Sequence, residues 1–148
     1  MIQIAVNSGK GGVGKTLVAT SLALSVDSIQ LLDADVDEPN CHLFIPIQTQ
    51  EIDVSKVPVP LIDKATCTMC GKCSDSCEYN ALAKMPTEIL LFEKICHGCG
   101  LCSAICPVKA ITERERRIGT IYQGCTDELI FTWGELIVGE ELTTPVIS

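Results

Sequence analysis

Residues 67–77 read Cys67-Thr68-Met69-Cys70-Gly71-Lys72-Cys73-Ser74-Asp75-Ser76-Cys77, and residues 96–106 read Cys96-His97-Gly98-Cys99-Gly100-Leu101-Cys102-Ser103-Ala104-Ile105-Cys106. Each segment carries the spacing C-x2-C-x2-C-x3-C, and the second follows the first at an offset of 29 residues. Gly71 and Gly100, Ser74 and Ser103, and Ala81 and Ala110 keep the same offset, so this is a duplicated unit.

The spacing resembles that of bacterial-type ferredoxins with two [4Fe–4S] clusters. Two-residue gaps let a short loop wrap three thiolates around one cube, and in that arrangement the fourth cysteine reaches the other cluster. The resemblance implies one cluster on Cys67, Cys70, Cys73 and Cys106, and the other on Cys96, Cys99, Cys102 and Cys77. Gly71, Gly98 and Gly100 suit tight turns that leave backbone N–H groups facing sulfide. Pro107 follows the last cysteine as the pattern expects, whereas Glu78 stands at the matching place in the first copy. Structural zinc would also take four thiolates, but it does not require eight in this repeated spacing. A disulfide scaffold needs an oxidising compartment, and Met1 leads into an apolar run without a basic region and cleavage site.

Outward from the cysteines, the totals bound the rest. The 148 residues are 47% hydrophobic, enough for one ordinary core plus a cofactor-held module. No apolar run approaches the ~20 residues of a membrane span. Ten cysteines without a leader point to a reducing, cytoplasmic location. The net charge of −8 divides into −5 over residues 1–63, +1 over 64–112 and −4 over 113–148. Such an acidic chain is a poor general partner for nucleic acid or anionic membrane.

Upstream, Ile2 to Val6 reads as a buried strand and Leu17 to Val26 as a helix. Between them, Gly9-Lys10-Gly11-Gly12-Val13-Gly14-Lys15-Thr16 fits G-x-x-x-x-G-K-[ST] in the strand–loop–helix context a phosphate loop requires. Backbone amides and the helix N-terminus would close around phosphate, Lys15 would reach the outer phosphates, and Thr16 would offer its hydroxyl to Mg²⁺. Ile29 to Leu32 forms a second strand ending in Asp33-Ala34-Asp35-Val36-Asp37-Glu38-Pro39-Asn40, whose carboxylates could hold Mg²⁺-bound water or position an attacking water. Cys41, His42 and Cys125 receive no ligand role. Pro46, Pro58 and Pro60 make residues 43–63 an extended connection rather than a central strand. Asp63 marks the entry to the cysteine unit, and Glu88 to Phe92 is a short strand over it. Ile118 to Gln123 and Glu128 to Trp133 read as two short strands with Gly124 near the turn. Phe131 and Trp133 read as core, and Tyr79 as an aromatic in place of an aliphatic neighbour of the cluster, with ordinary core as the alternative.

Lys10, at the start of K-G-G-V-G-K-T, makes this loop similar to that of the deviant Walker A ATPases of the MinD/ParA type. With D-A-D-V-D-E-P-N, the two-cluster unit and G-E-L-I-V-G-E near the end, the chain resembles the N-terminal half of a MinD-superfamily P-loop ATPase carrying an inserted ferredoxin. The resemblance implies an α/β fold: an incomplete P-loop NTPase parallel sheet (residues 1–63 and 113–148) with an inserted α+β bacterial-type ferredoxin domain (64–112). It implies ATP and Mg²⁺ alongside the two clusters. Gly9 to Thr16 would bind nucleotide, Lys10 would reach a nucleotide in a partner subunit of a homodimer, and Lys15 and Asp35 would join it in catalysis. Thr16, Asp33 and Asp35 would form the Mg²⁺ site, with Asp33 in its outer shell, and Asp35 would orient the hydrolytic water. The family's D-x-P-P-G segment is absent from these residues, which leaves ATP hydrolysis open. The expected function is coupling of nucleotide state to electron transfer toward a redox partner protein. Cluster delivery or assembly, or a ferredoxin with a vestigial nucleotide site, stands as the alternative.

Overall fold

The structure, a computed structural model, describes residues 2–147. The chain divides into two compact units: Met1–Val54, Gly119–Ile137 and Val146–Ser148 form one, and Ser55–Ile118 with Val138–Pro145 the other. The second unit is wider than residues 64–112. It takes in residues 55–63 on one side and 113–118 on the other, and of these Pro58, Pro60, Ile62 and Glu113 help to wall the cysteine cavities.

In the first unit, helix α1 (Lys15–Ala23) begins where Gly14 turns into the left-handed region, φ 91°, and Gly14 accepts the first helical bond from Val18 N–H at 3.0 Å. It stops three residues short of Val26, where the Ser25 N–H takes a tighter bond to Leu22. The strands are β1 (Ile29–Asp33), β2 (Gln50–Ile62), β3 (Leu82–Lys84), β4 (Ile89–Leu91), β5 (Ile111–Cys125) and β6 (Leu129–Leu136). Four of them form one sheet in the order β1-β6-β5-β2. β1 pairs parallel to β6, Ile29 opposite Leu129 and Asp33 opposite Trp133, while β5 pairs antiparallel to β6. Ala23, Cys41, Ile45, Leu129 and Phe131 make the core of this unit. Trp133 lies between two other rings, 4.5 Å from His42 and 4.4 Å from Tyr122.

Four expectations need correction. Ile2 to Val6 is not a strand, and Ile2 and Ile4 remain 89% and 67% exposed; among the described residues no strand pairs with this run, so its apolar side chains have nothing to cover them. Residues 50–62 are a strand despite Pro58 and Pro60, because β2 lies at a sheet edge, where a missing N–H breaks no ladder. The segment expected at 118–123 is part of a 15-residue strand. Gly124 is inside that strand, not at its turn. A Cβ there would meet the Gln48 carbonyl at 2.5 Å, so glycine permits a close backbone approach. The turn instead uses Thr126, whose hydroxyl accepts from the Glu128 and Leu129 N–H groups.

The second unit holds the β3–β4 hairpin (Leu82 opposite Leu91, Lys84 opposite Ile89) and two one-turn helices, α2 (Lys72–Asp75) and α3 (Leu101–Ala104). Cys73, Leu82, Ile89 and Ile111 form its core. Arg116 on β5 pairs with Glu140, tying segment 138–145 to this unit; the two side chains are 14% and 4% exposed. A last short helix, α4, spans Thr144–Ile147. Among the described residues no helix is long and apolar enough to cross a membrane.

Candidate metal centre and phosphate loop

The duplication read in the sequence is repeated atom by atom. Gly71 and Gly100 both take positive φ, 85° and 73°, ahead of the equivalent helices α2 and α3. Ser74 and Ser103 each donate a hydroxyl to the carbonyl of that glycine at 2.8 Å. Ala81 N–H donates to Cys77 Sγ and Ala110 N–H to Cys106 Sγ, both at 3.3 Å. Asn80 and Lys109, at φ 53° and 51°, make the left-handed step that aims those amides. The two alanines stood out in the sequence only as repeated residues; their backbone donors are part of the site. Asp63 closes the entry to the first loop, accepting from Ala65 N–H and the Thr66 hydroxyl, and these bonds hold its carboxyl below the usual range.

The eight thiols wall two cavities. One is lined by Cys67, Cys70, Cys73 and Cys106 with Ile62, Ile89, Val108 and Ile111. The other is lined by Cys77, Cys96, Cys99 and Cys102, again with Cys73, and by Pro58, Pro60, Ala81 and Leu82. The fourth cysteine of each repeat therefore lies in a wall with the first three of the other, while Cys73 borders both cavities. Among the described residues no group of three or more His, Cys, Asp or Glu is drawn together tightly enough for a single ion; these thiols ring a cavity instead. Burial pushes the Cys73 thiol up and the Cys102 thiol up to about 11. Such thiols are protonated at neutral pH until iron binds, so loading releases protons and weakens as pH falls. The donor set, the apolar walls and the amides aimed at sulfur fit two [4Fe–4S] clusters.

Gly98 is held to glycine twice over, by φ 67° and by Pro58, whose carbonyl would lie 2.8 Å from a Cβ. At Gly100 a Cβ meets only the end of the Glu113 side chain, 3.2 Å away. Gly98→Ala should therefore lower stability by roughly 1 kcal/mol more than Gly100→Ala. Thermal unfolding of the iron-loaded variants measures it, and equal losses would show that the Pro58 contact gives way. Tyr79 is 39% exposed and stacks on His97 at 3.8 Å, where it forms part of the second cavity's wall and not of the core.

The glycine loop stands open. A Cβ at Gly9, Gly11, Gly12 or Gly14 would meet nothing within 4 Å, and Gly12 and Gly14 have positive φ. Lys10 and Val13 are exposed, while Lys15 and Thr16, opening α1, are half-buried. Thr16 donates its hydroxyl to Asn40 Oδ1 at 2.7 Å. Asp33 accepts from the N–H of Asn40 at 3.2 Å and of Cys41 at 3.0 Å through one oxygen, and from Asp35 N–H at 3.2 Å through the other. Thr16 and Asp33 are thus brought together through Asn40, a residue the sequence reading gave no role. Asp35 remains exposed. Burial and the neighbouring Asp33 push the Cys41 thiol up to about 12, which makes it an inert packing group.

Residues 60–113 match the 4Fe-4S dicluster domain family, so this part of the chain is a ferredoxin-like iron–sulfur domain. The whole chain is 38% identical to a protein of Methanocaldococcus jannaschii described as uncharacterized, covering 53% of it, and 28% identical to a second from the same organism, covering 54%. The chain thus spans about half the length of the curated relatives it matches over its full extent. An iron-sulfur cluster carrier protein of Synechocystis is 37% identical over 59 residues, 37% of this chain and 17% of the carrier.

Proposed function

We propose that this chain is a two-cluster electron carrier whose reduction by a partner protein responds to ATP and Mg²⁺ bound at residues 9–16. The observation that carries the first part is the pair of cavities walled by crossed thiol sets, with Cys73 common to both walls. Each bound [4Fe–4S] cluster supplies one-electron chemistry. The chain's own groups hold it with four thiolates, exclude water with Ile62, Ile89, Ile111 and Leu82, and aim the Ala81 and Ala110 amides at ligand sulfur. Closed sets of four favour retention of the clusters. The likeness of 59 residues to an iron-sulfur cluster carrier protein supports the second reading, cluster delivery, and incubation with an apo-acceptor separates the two: a carrier of electrons keeps its iron.

Support for the nucleotide part comes from the open glycine loop, the helix that follows it and the Thr16–Asn40–Asp33 chain of hydrogen bonds. Because Thr16 is the donor to Asn40, its oxygen lone pairs remain for a cation. A Mg²⁺ bound there would act through Asn40 on the whole 33–41 segment, which on this reading senses the nucleotide. Lys15→Ala should weaken Mg²⁺-ATP binding at least tenfold, roughly the worth of one charge-assisted contact, while iron content stays unchanged. Titration with a fluorescent ATP analogue reads the first and colorimetric iron analysis the second. Equal affinity in parent and variant would remove the nucleotide from the function and leave a plain ferredoxin.

A further inference from the structure

The two repeats are equivalent in backbone but opposite in charge at one matched position. Lys84 and Glu113 are separated by the repeat offset of 29 residues, and each lies over the same glycine turn of its own repeat. A Cβ on Gly71 would lie 3.2 Å from Lys84 Cδ and 3.7 Å from its Nζ; a Cβ on Gly100 would lie 3.2 Å from Glu113 Oε1. We infer that these two charges set the clusters at different potentials, Lys84 raising that of the cluster held by Cys67, Cys70, Cys73 and Cys106, and Glu113 lowering that of the other.

Adding an electron makes a cluster more negative, so a nearby cation favours the reduced form and a nearby carboxylate disfavours it. The cavity walls and the residues after the fourth ligands point the same way, against the Asp63 carboxylate at the entry to the first loop. The charged residue in the wall of the first cavity is Lys72, whose counterpart in the second repeat is Leu101; the charged residue in the wall of the second cavity is Glu113. Near the fourth ligands, Lys109 follows Cys106 where the other copy has Asn80, and Glu78 follows Cys77 where the other has Pro107. Asp75 Oδ2, 3.6 Å from the same Gly71 Cβ position, offsets part of the Lys84 charge. Lys94, close to Cys96 in sequence, has its ammonium beside Gly139, 3.4 Å from a Cβ placed there. Ser103 Oγ lies 2.6 Å from Glu113 Oε1 and 2.8 Å from the Gly100 carbonyl, so its one proton serves either acceptor, and when given to Oε1 it holds Glu113 over the turn. The first electron taken up therefore resides on the Cys67–Cys106 cluster.

This inference rests on the crossed two-cluster reading, so its test begins with iron content. EPR-monitored potentiometric titration of the reconstituted chain should then resolve two waves. Lys84→Gln should lower the upper wave alone, and Glu113→Gln should raise the lower wave alone. Each should shift its one-electron equilibrium about fivefold at low salt, given that a tenfold change is about 59 mV. Raising ionic strength should shrink both shifts, since these side chains are exposed and only a Coulombic effect is screened. Both substitutions are at exposed positions and should leave the iron count unchanged. Iron near four per chain would overturn the two-cluster reading itself. Eight iron with coincident waves, with no shift, or with Lys84→Gln acting on the lower wave would overturn the charge assignment alone.

Discussion

Cys106→Ala will empty the site formed with Cys67, Cys70 and Cys73 and leave the one on Cys77, Cys96, Cys99 and Cys102 loaded, taking iron from about eight to about four per chain. The reason is the division of thiols between the two cavities: Cys106 lies in the wall with the first repeat's loop, and its sulfur accepts the Ala110 amide there. Cys77→Ala should do the reverse, since Cys77 lies with Cys96, Cys99 and Cys102 and accepts the Ala81 amide. Paramagnetic shifts of the cysteine Cβ protons in the reconstituted variants identify which set survives. Survival of the Cys67 set in Cys106→Ala would mean that each repeat binds its own cube.

Arg116→Met will destabilise the cluster-bearing unit by about 3–5 kcal/mol, the range for breaking a buried ion pair by removing one partner. Arg116 and Glu140 are largely withdrawn from water, and Glu140 also accepts from the N–H groups of Glu141 and Leu142 at 3.2 and 3.3 Å. Arg116 Nε and Nη2 are buried with no hydrogen-bond partner among the described residues, so the pair is an expensive one. The double variant Arg116→Met/Glu140→Met should for that reason recover most of the loss. Burial alone would push the Glu140 carboxyl up; the Arg116 guanidinium and the two amides outweigh it and hold it below the usual range. A carboxyl lowered in the folded state stabilises above its unfolded pKa of about 4.3 and loses that contribution as pH falls through the folded value. Denaturant unfolding of the iron-loaded chain at pH 7 and at acid pH should therefore show a larger acid loss in the parent than in Glu140→Gln. A single substitution costing under 1 kcal/mol would show that segment 138–145 is held by other contacts.

Short-range chemistry was legible in the sequence. Cysteine spacing, the 29-residue repeat and the glycines at 71, 98 and 100 are local patterns, and the matched turns and helices over 72–75 and 101–104 follow from them. The glycine loop leading into α1 is equally local, and it begins its helix at Lys15 for the reason a left-handed Gly14 supplies. A lone Cys41-His42 pair in sequence points to packing, and in the structure Cys41 lies in the core and His42 stacks on Trp133.

Pairing partners were not legible, because they depend on residues far apart in the chain. An apolar run such as Ile2 to Val6 is a strand only if another strand lies alongside it, and period-two patterning says nothing of which one. Prolines at 58 and 60 exclude a central position but not an edge, and only the order β1-β6-β5-β2 shows that β2 occupies one. The Thr16–Asn40 bond spans 24 residues and the Arg116–Glu140 pair another 24, distances at which no local rule selects a partner. The opposition of Lys84 and Glu113 lies between these cases. Their offset is written in the chain, but that each side chain lies over its own glycine turn is a matter of packing, which brings β3 beside one turn and β5 beside the other.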